Sequence, residues 1–184
     1  MKTFRLIGQP ILIAMVLALG VRSAVRILAI PTPSMEPTLR VGDHIVVTPY
    51  RTSLPQRGDV IVFHSPVSRD ELLVKRIVAI PGDLVEMRER HLFVSGHEAG
   101  EAGAVVPQIV PAECYFVLGD NRTNSYDSRQ WGVLSRDLII GRARLVLWSS
   151  GSGSMEPQAN AAPRRSSPLP SPSLRVERLF KPIQ

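Results

Sequence analysis

Leu72-Leu73-Val74-Lys75-Arg76-Ile77-Val78-Ala79-Ile80, closed by Pro81-Gly82-Asp83, reads as a strand that ends in a turn. Similar β-rich runs occupy residues 41–48, 58–63, 84–87, 91–94, 114–118 and 138–148. Gly, Pro, Asn and Asp clusters separate them, Gly119-Asp120-Asn121 among them. No stretch after residue 31 sustains a helical period, so the pattern predicts a mainly antiparallel β domain over residues 31–148.

One residue in the quoted stretch stands apart from that pattern. The chain has three lysines and 19 arginines, and Lys75 is the only lysine between Lys2 and Lys181. Arginine supplies charge but does not lose its proton in a protein. A desolvated lysine does, and then acts as a base. On a strand, Leu73, Ile77 and Ala79 would share the face of Lys75, and all three are apolar. The setting suits an uncharged amine, although a single lysine in an arginine-biased chain carries little weight alone.

A length of 184 residues leaves room for one domain with a substantial core. The single cysteine, Cys114, rules out an intramolecular disulfide. His44, His64, His91 and His97 lack the spacing of metal ligands, so no metal is expected. The net charge of +6 invites a nucleic-acid reading, but its distribution argues against one. Residues 1–30 carry +4 and residues 150–184 carry +3, whereas residues 31–149 carry −1. The globular part has no polyanion footprint, so no nucleic-acid partner is expected.

Residues 6–21 are interrupted only by the uncharged Gly8, Gln9, Pro10 and Gly20. With residues 25–30 they make about 25 residues, enough to cross a bilayer at roughly 1.5 Å per residue. Arg22 and Arg26 lie near the far end, where long side chains snorkel to the interface. A cleaved leader would need an A-x-A-like site, and none precedes a plausible mature start. Residues 1–30 are therefore read as a cytoplasmic flank and one retained transmembrane helix. Charge alone does not fix its orientation. From residue 149 the composition turns to Gly, Ser and Pro, predicting a disordered tail over 149–184, with 174–180 as a short helix or a partner contact.

After the anchor comes Ile30-Pro31-Thr32-Pro33-Ser34-Met35-Glu36-Pro37-Thr38-Leu39, whose prolines hold the backbone extended around Ser34. In order along the chain follow 58–63, the quoted strand with its Pro-Gly-Asp turn, and Gly119-Asp120-Asn121-Arg122-Thr123-Asn124-Ser125-Tyr126-Asp127-Ser128-Arg129-Gln130-Trp131-Gly132. This series resembles the type I signal peptidases (leader peptidases), over residues 1 to about 148. The resemblance implies a β catalytic domain of signal-peptidase type and a Ser34 nucleophile with Lys75 as its general base. It also implies an oxyanion site from the Ser34 N–H and the Thr32 hydroxyl, and Ser125 orienting the amine. Asp127 and Arg129 would form a supporting ion pair. Ile30, Met35, Leu39 and Val74 would wall shallow pockets for small substrate side chains, with the substrate adding a strand. No cofactor is implied.

The chemistry is coherent on its own terms. A serine hydroxyl attacks an amide only when a base removes its proton, and Ser–Lys is a known variant of Ser–His–Asp. Lowering a lysine from about 10.4 to near 7.5 takes roughly 4 kcal/mol, which burial can supply. Pro33 stands where the family often has glycine; a need for φ > 0 there would displace Ser34. Ser152-Gly153-Ser154-Met155-Glu156-Pro157 repeats the nucleophile motif in the linker, with no span before it, and is read as chance.

The expected protein is thus a single-pass serine endopeptidase of the bacterial cytoplasmic membrane, its catalytic domain on the periplasmic side. Its partners would be preprotein signal peptides and the lipid bilayer. A specialised peptidase of the same superfamily serving one export or conjugation system is the neighbouring alternative. A silent anchored scaffold is opposed by the retained Ser34, Thr32, Lys75 and Ser125. A self-cleaving Ser–Lys repressor is opposed by the span and the absence of a DNA-binding segment.

Overall fold

The structure, a computed structural model, describes Ile11 and residues 25–101, 103–151, 173–174 and 178–183. Its larger sheet runs β1 (Arg26–Ala29), β2 (Asp43–Thr48), β11 (Ile139–Gly151), β3 (Val60–His64), β4 (Leu72–Ala79), β9 (Cys114–Leu118) and β10 (Leu134–Ser135). A smaller sheet runs β7 (His97–Glu101), β6 (His91–Val94), β5 (Leu84–Arg88) and β8 (Gln108–Ile109). Two short strands, β12 (Ser173–Leu174) and β13 (Lys181–Pro182), add to β11. Adjacent strands pair antiparallel, as the local pattern predicts.

The central strands bury both faces, which explains their unbroken apolar runs. In β3, Val60 and Val62 enter one cluster while Ile61 and Phe63 enter another. In β9, Phe116 and Leu118 pack toward the smaller sheet, and Tyr115 and Val117 pack away from it. Each fully buried large aliphatic or aromatic side chain contributes about 1.5–3 kcal/mol. The Pro81-Gly82-Asp83 turn joins the sheets: Gly82 has φ +88°, its N–H donates to Val110 O, and the Asp83 carboxylate accepts from Ile80 N. The β6–β7 hairpin turns on Ser95 (φ 50°) and Gly96 (φ 83°), the two positive-φ residues of a tight hairpin.

Three expectations are corrected. Residues 26–29, read as the end of the membrane span, form β1, whose residues pair in register with Val47 to His44 of β2. Ile27, Leu28 and Ala29 serve a sheet edge here, and Ile30 enters the core beside Met35. No helix among the described residues is long and apolar enough to cross a membrane; apart from Ile11, the run at 6–21 lies outside them. The tail reading fails at its end. β11 continues through Gly151, and residues 178–183 return to the domain, with Arg178 and Ile183 both buried. The alternation expected of β4 also breaks: Ile77 pairs with Val117 and Ala79 with Phe116, so Val78 is an extra residue. Ala79 consequently packs toward the smaller sheet instead of sharing the face of Lys75.

Gly42, at the entry to β2, has φ +88°, and a Cβ there would lie 2.1 Å from the backbone oxygen of Ser150. Gly42→Ala should therefore lower stability by about 2 kcal/mol or more, read as a drop in the urea midpoint at unchanged slope.

Candidate active site

Ser34 lies in a 3-10 turn, Pro33–Met35. Thr32 precedes it in extended conformation (φ −126°), and Pro33 takes the first helical position. Proline is favoured there because the first N–H groups of a helix have no intrahelical partner. The turn thus accommodates Pro33 without positive φ. Ser34, the second residue, likewise has no carbonyl within the turn to receive its N–H.

A second segment fixes this turn from across the sheet. Asn121 N donates to Ser34 O at 3.1 Å, and Asn121 Nδ2 donates to Pro33 O at 3.2 Å. Both contacts come from the loop that leaves β9 at Leu118. Gly119 lets the two segments meet, since a Cβ there would lie 2.5 Å from Ser34 O and 2.2 Å from Ser125 Oγ. Arg76 adds a third tie, binding Asp120 through Nε (2.8 Å) and Nη2 (2.7 Å) and Gly58 O through Nη1. These three backbone and arginine contacts were not read from the sequence. Gly119-Asp120-Asn121 offered only a turn signal, and the partners lie far away along the chain.

Within this frame Lys75 Nζ lies 2.8 Å from Ser34 Oγ, over a sequence separation of 41 residues. Lys75 is 3% exposed, and Ser34 is 9% exposed. Burial pushes the Lys75 amine below the ordinary lysine value; the charges of Asp127 and Glu71 oppose that shift without cancelling it. Thr32 Oγ1 lies 3.4 Å from Ser34 Oγ, close to where charge would develop on a carbonyl attacked by that hydroxyl.

Asp127 and Arg129 are not the solvated loop pair that their spacing alone suggests. Asp127 is fully buried and accepts from Arg129 Nε (2.8 Å), Arg129 Nη2 (3.0 Å) and Gly119 N (3.0 Å). Burial works to raise its carboxyl, and the Arg129 and Gly119 hydrogen bonds outweigh that and hold it below the usual range. Asp127 also caps the helix α1 (Ser128–Trp131), with Gln130 Oε1 accepting from Asp127 N. The D-x-x-Q spacing of Asp127 and Gln130 was a legible sign of this capping box. Arg129 completes the loop by donating to Arg122 O and Ser125 O.

Ser125 departs from expectation in detail. Its hydroxyl is buried against Gly119, close to Ser34, and bears on the Asp127 carboxylate, which it helps hold low, rather than on the amine. Ile30, Met35, Leu39 and Val74 do come together, in one cluster with Ile45 and Val62. Met35 and Leu39 are fully buried there, and of the four only Val74 keeps appreciable surface. Beside this group, β4 pairs with β9 only from Arg76 onward, so among the described residues no strand lies on that edge of residues 72–75.

Two substitutions test this geometry. Gly119→Ala should force Ser125 and the Ser34 turn apart and lower activity by about 10²-fold, since a displacement near 1 Å has that effect. Lys75→Met should abolish activity yet raise the melting temperature at neutral pH. The folded amine titrates below the unfolded one, so the unfolded state binds more protons between the two values and wild-type stability rises with pH there. The advantage of Lys75→Met should thus shrink as pH approaches the ordinary lysine range, which paired melts at pH 7 and pH 10 would read.

Residues 4–148 match the family model for signal peptidase, peptidase S26. A probable signal peptidase I-2 of Synechocystis sp. is 35% identical over 162 residues, covering 80% of this chain and 74% of that protein. The signal peptidase I of Leptolyngbya laminosa is 39% identical over 153 residues, covering 74% of this chain and 75% of that protein. A solved signal peptidase I from Enterococcus faecalis V583 is 29% identical, covering 50% of this chain and 98% of that one, with a TM-score of 0.43. With the matched residues taking in Ser34, Lys75 and the whole Gly119–Gly132 loop, the chain belongs to the signal peptidase family, peptidase S26.

Proposed function

We propose that the chain is a signal peptidase I, a serine endopeptidase that removes signal peptides from translocated preproteins, with Ser34 as nucleophile and Lys75 as general base. The observation that carries the proposal is the 2.8 Å contact between a buried lysine amine and a serine hydroxyl. With the amine neutral, the Ser34 O–H donates to its lone pair. Oγ then attacks the scissile carbonyl while the proton passes to Nζ. The tetrahedral oxyanion would be met by the Ser34 N–H and the Thr32 hydroxyl. Collapse breaks the peptide C–N bond, and the Lys75 ammonium gives its proton to the leaving amine. A water, deprotonated by the same amine, hydrolyses the acyl-enzyme and restores both groups.

Ser125 fits a role in the Gly119–Gly132 loop, its buried hydroxyl lying against Gly119 beside the Ser34 turn and bearing on Asp127. Asp127 and Arg129 fit a supporting role: their ion pair fixes the loop carrying Ser125 and Gly119. The open edge of residues 72–75 supports a substrate bound as an added strand, its small side chains facing Val74 and the Ile30 cluster. Residues 6–21 are proposed as a single span in the bacterial cytoplasmic membrane with the catalytic domain on the periplasmic side. β1 begins close after that run, so Ser34 would work near the bilayer surface where a translocated cleavage site emerges. This proximity raises its effective concentration.

A preprotein cleavage assay in detergent tests the assignment. Ser34→Ala and Lys75→Arg should each reduce kcat/KM by about 10³-fold or more, because arginine keeps the charge and cannot deprotonate. Ser154→Ala, at the repeated motif outside the described residues, should leave activity unchanged. Substantial cleavage by Lys75→Arg would exclude the base role. Wild-type activity should fall as pH drops through the amine's pKa, with that acid limb below the ordinary lysine value.

A further inference from the structure

Resting on that reading, we infer that the C-terminal arm, residues 178–183, holds the nucleophile segment in place, and that Arg178 is its positioning residue. The arm lies beyond the family-matched residues 4–148. Arg178 is 3% exposed, and its guanidinium binds the fully buried Asp43 through Nε (3.0 and 3.1 Å) and Nη2. The same Nη2 donates to Thr38 O at 2.9 Å. A planar fork is suited to holding a carboxylate and a carbonyl at once, and lysine would not reproduce it.

Those two anchor points bracket the chain that follows Ser34. Asp43 accepts from Arg40 N, and its own N–H donates to Arg40 O, closing a turn. Its carbonyl accepts from Ile30 N, so one residue ties the strand entering the site to the segment leaving it. Thr38 is held from two sides, its carbonyl by Arg178 and its hydroxyl by Arg76, the neighbour of Lys75 (3.4 Å). Leu39 N in turn donates to Met35 O. The arm adds an apolar contact, for Ile183 is buried in the cluster of Ile30, Met35 and Leu39. It is itself fixed by Ile183 N donating to Arg144 O and by β13 on β11, along the edge opposite β2. The segment from Ser34 to Asp43 is therefore clamped at its start by Asn121 and at its end by Arg178.

The test compares wild type with Arg178→Lys and Arg178→Met in the full chain, with kcat and KM expressed per folded enzyme. A positioning role predicts a fall in kcat of roughly tenfold or more for Arg178→Met, KM changed by less than about threefold, and an intermediate kcat for Arg178→Lys. Amide hydrogen exchange provides a readout independent of catalysis. In Arg178→Lys, which keeps the buried charge and so the fold, exchange should quicken over residues 35–43 and stay unchanged over residues 84–94. Wild-type kcat per folded enzyme in both variants, or unchanged exchange over 35–43, would overturn the inference. A wild-type enzyme that cleaves no preprotein would count against the proposed peptidase activity, while the exchange measurement would still decide the role of the arm.

Discussion

A lysine amine kept out of water beside a serine hydroxyl is the constraint around which this domain is arranged. Burying an ammonium is expensive, and the cost is what makes the group useful, since it drives the amine toward its neutral form. The surroundings supply dryness and a limited amount of negative charge. The charge of Asp127 favours the ammonium form of Lys75, but its carboxylate is already engaged by Arg129 and by the Gly119 N–H. The ion pair beside the active site thus stiffens the loop and at the same time offsets the negative charge that favours a protonated base.

Arginine does the remaining structural work in recurring fashion. Arg76 gathers Asp120 and Gly58, Arg129 gathers Asp127 and two loop carbonyls, and Arg178 gathers Asp43 and Thr38. Each fork terminates on both a carboxylate and backbone oxygen, and those of Arg76 and Arg178 link segments distant in sequence. A buried pair of this kind adds little net stability over an apolar substitute, but removing one partner leaves an uncompensated charge. What these pairs contribute is geometry. The bias toward arginine noted from composition therefore has a structural use, and it leaves Lys75 chemically distinct among the buried cations.

How much was legible in the sequence follows from the range of the interactions involved. The runs at 58–63, 72–80, 84–87, 91–94 and 114–118 were readable because alternation and turn residues are local signals. β1 was not, since a short Ile-Leu-Ala run behind one arginine, beside a longer apolar run, carries nothing that separates a sheet edge from the end of a span. Arg178 and Ile183 were hidden because a Pro/Ser-rich approach reads as disorder, and the partners of Arg178 lie more than a hundred residues earlier. The displaced Ala79 reflects a single extra residue in β4, which no periodicity reveals. Ser34 and Lys75 were recognised through ordered motifs, and their meeting is a tertiary fact. Ser125 shows the limit of such recognition: its hydroxyl lies against Gly119 and bears on Asp127, and the expected bond to the amine is absent.

Among the described residues, one edge of β4 at residues 72–75 carries no strand. Any exposed sheet edge is a template for unwanted strands as well as for a substrate, and so a route to aggregation. Here that stretch is only four residues long, and the exposed run Arg69-Asp70-Glu71 leads into it. On the proposed reading, a short slot with charges at its mouth would admit one extended peptide and disfavour the flat edge of a neighbouring molecule. Openness to a passing polypeptide would then come without an edge suited to self-adhesion.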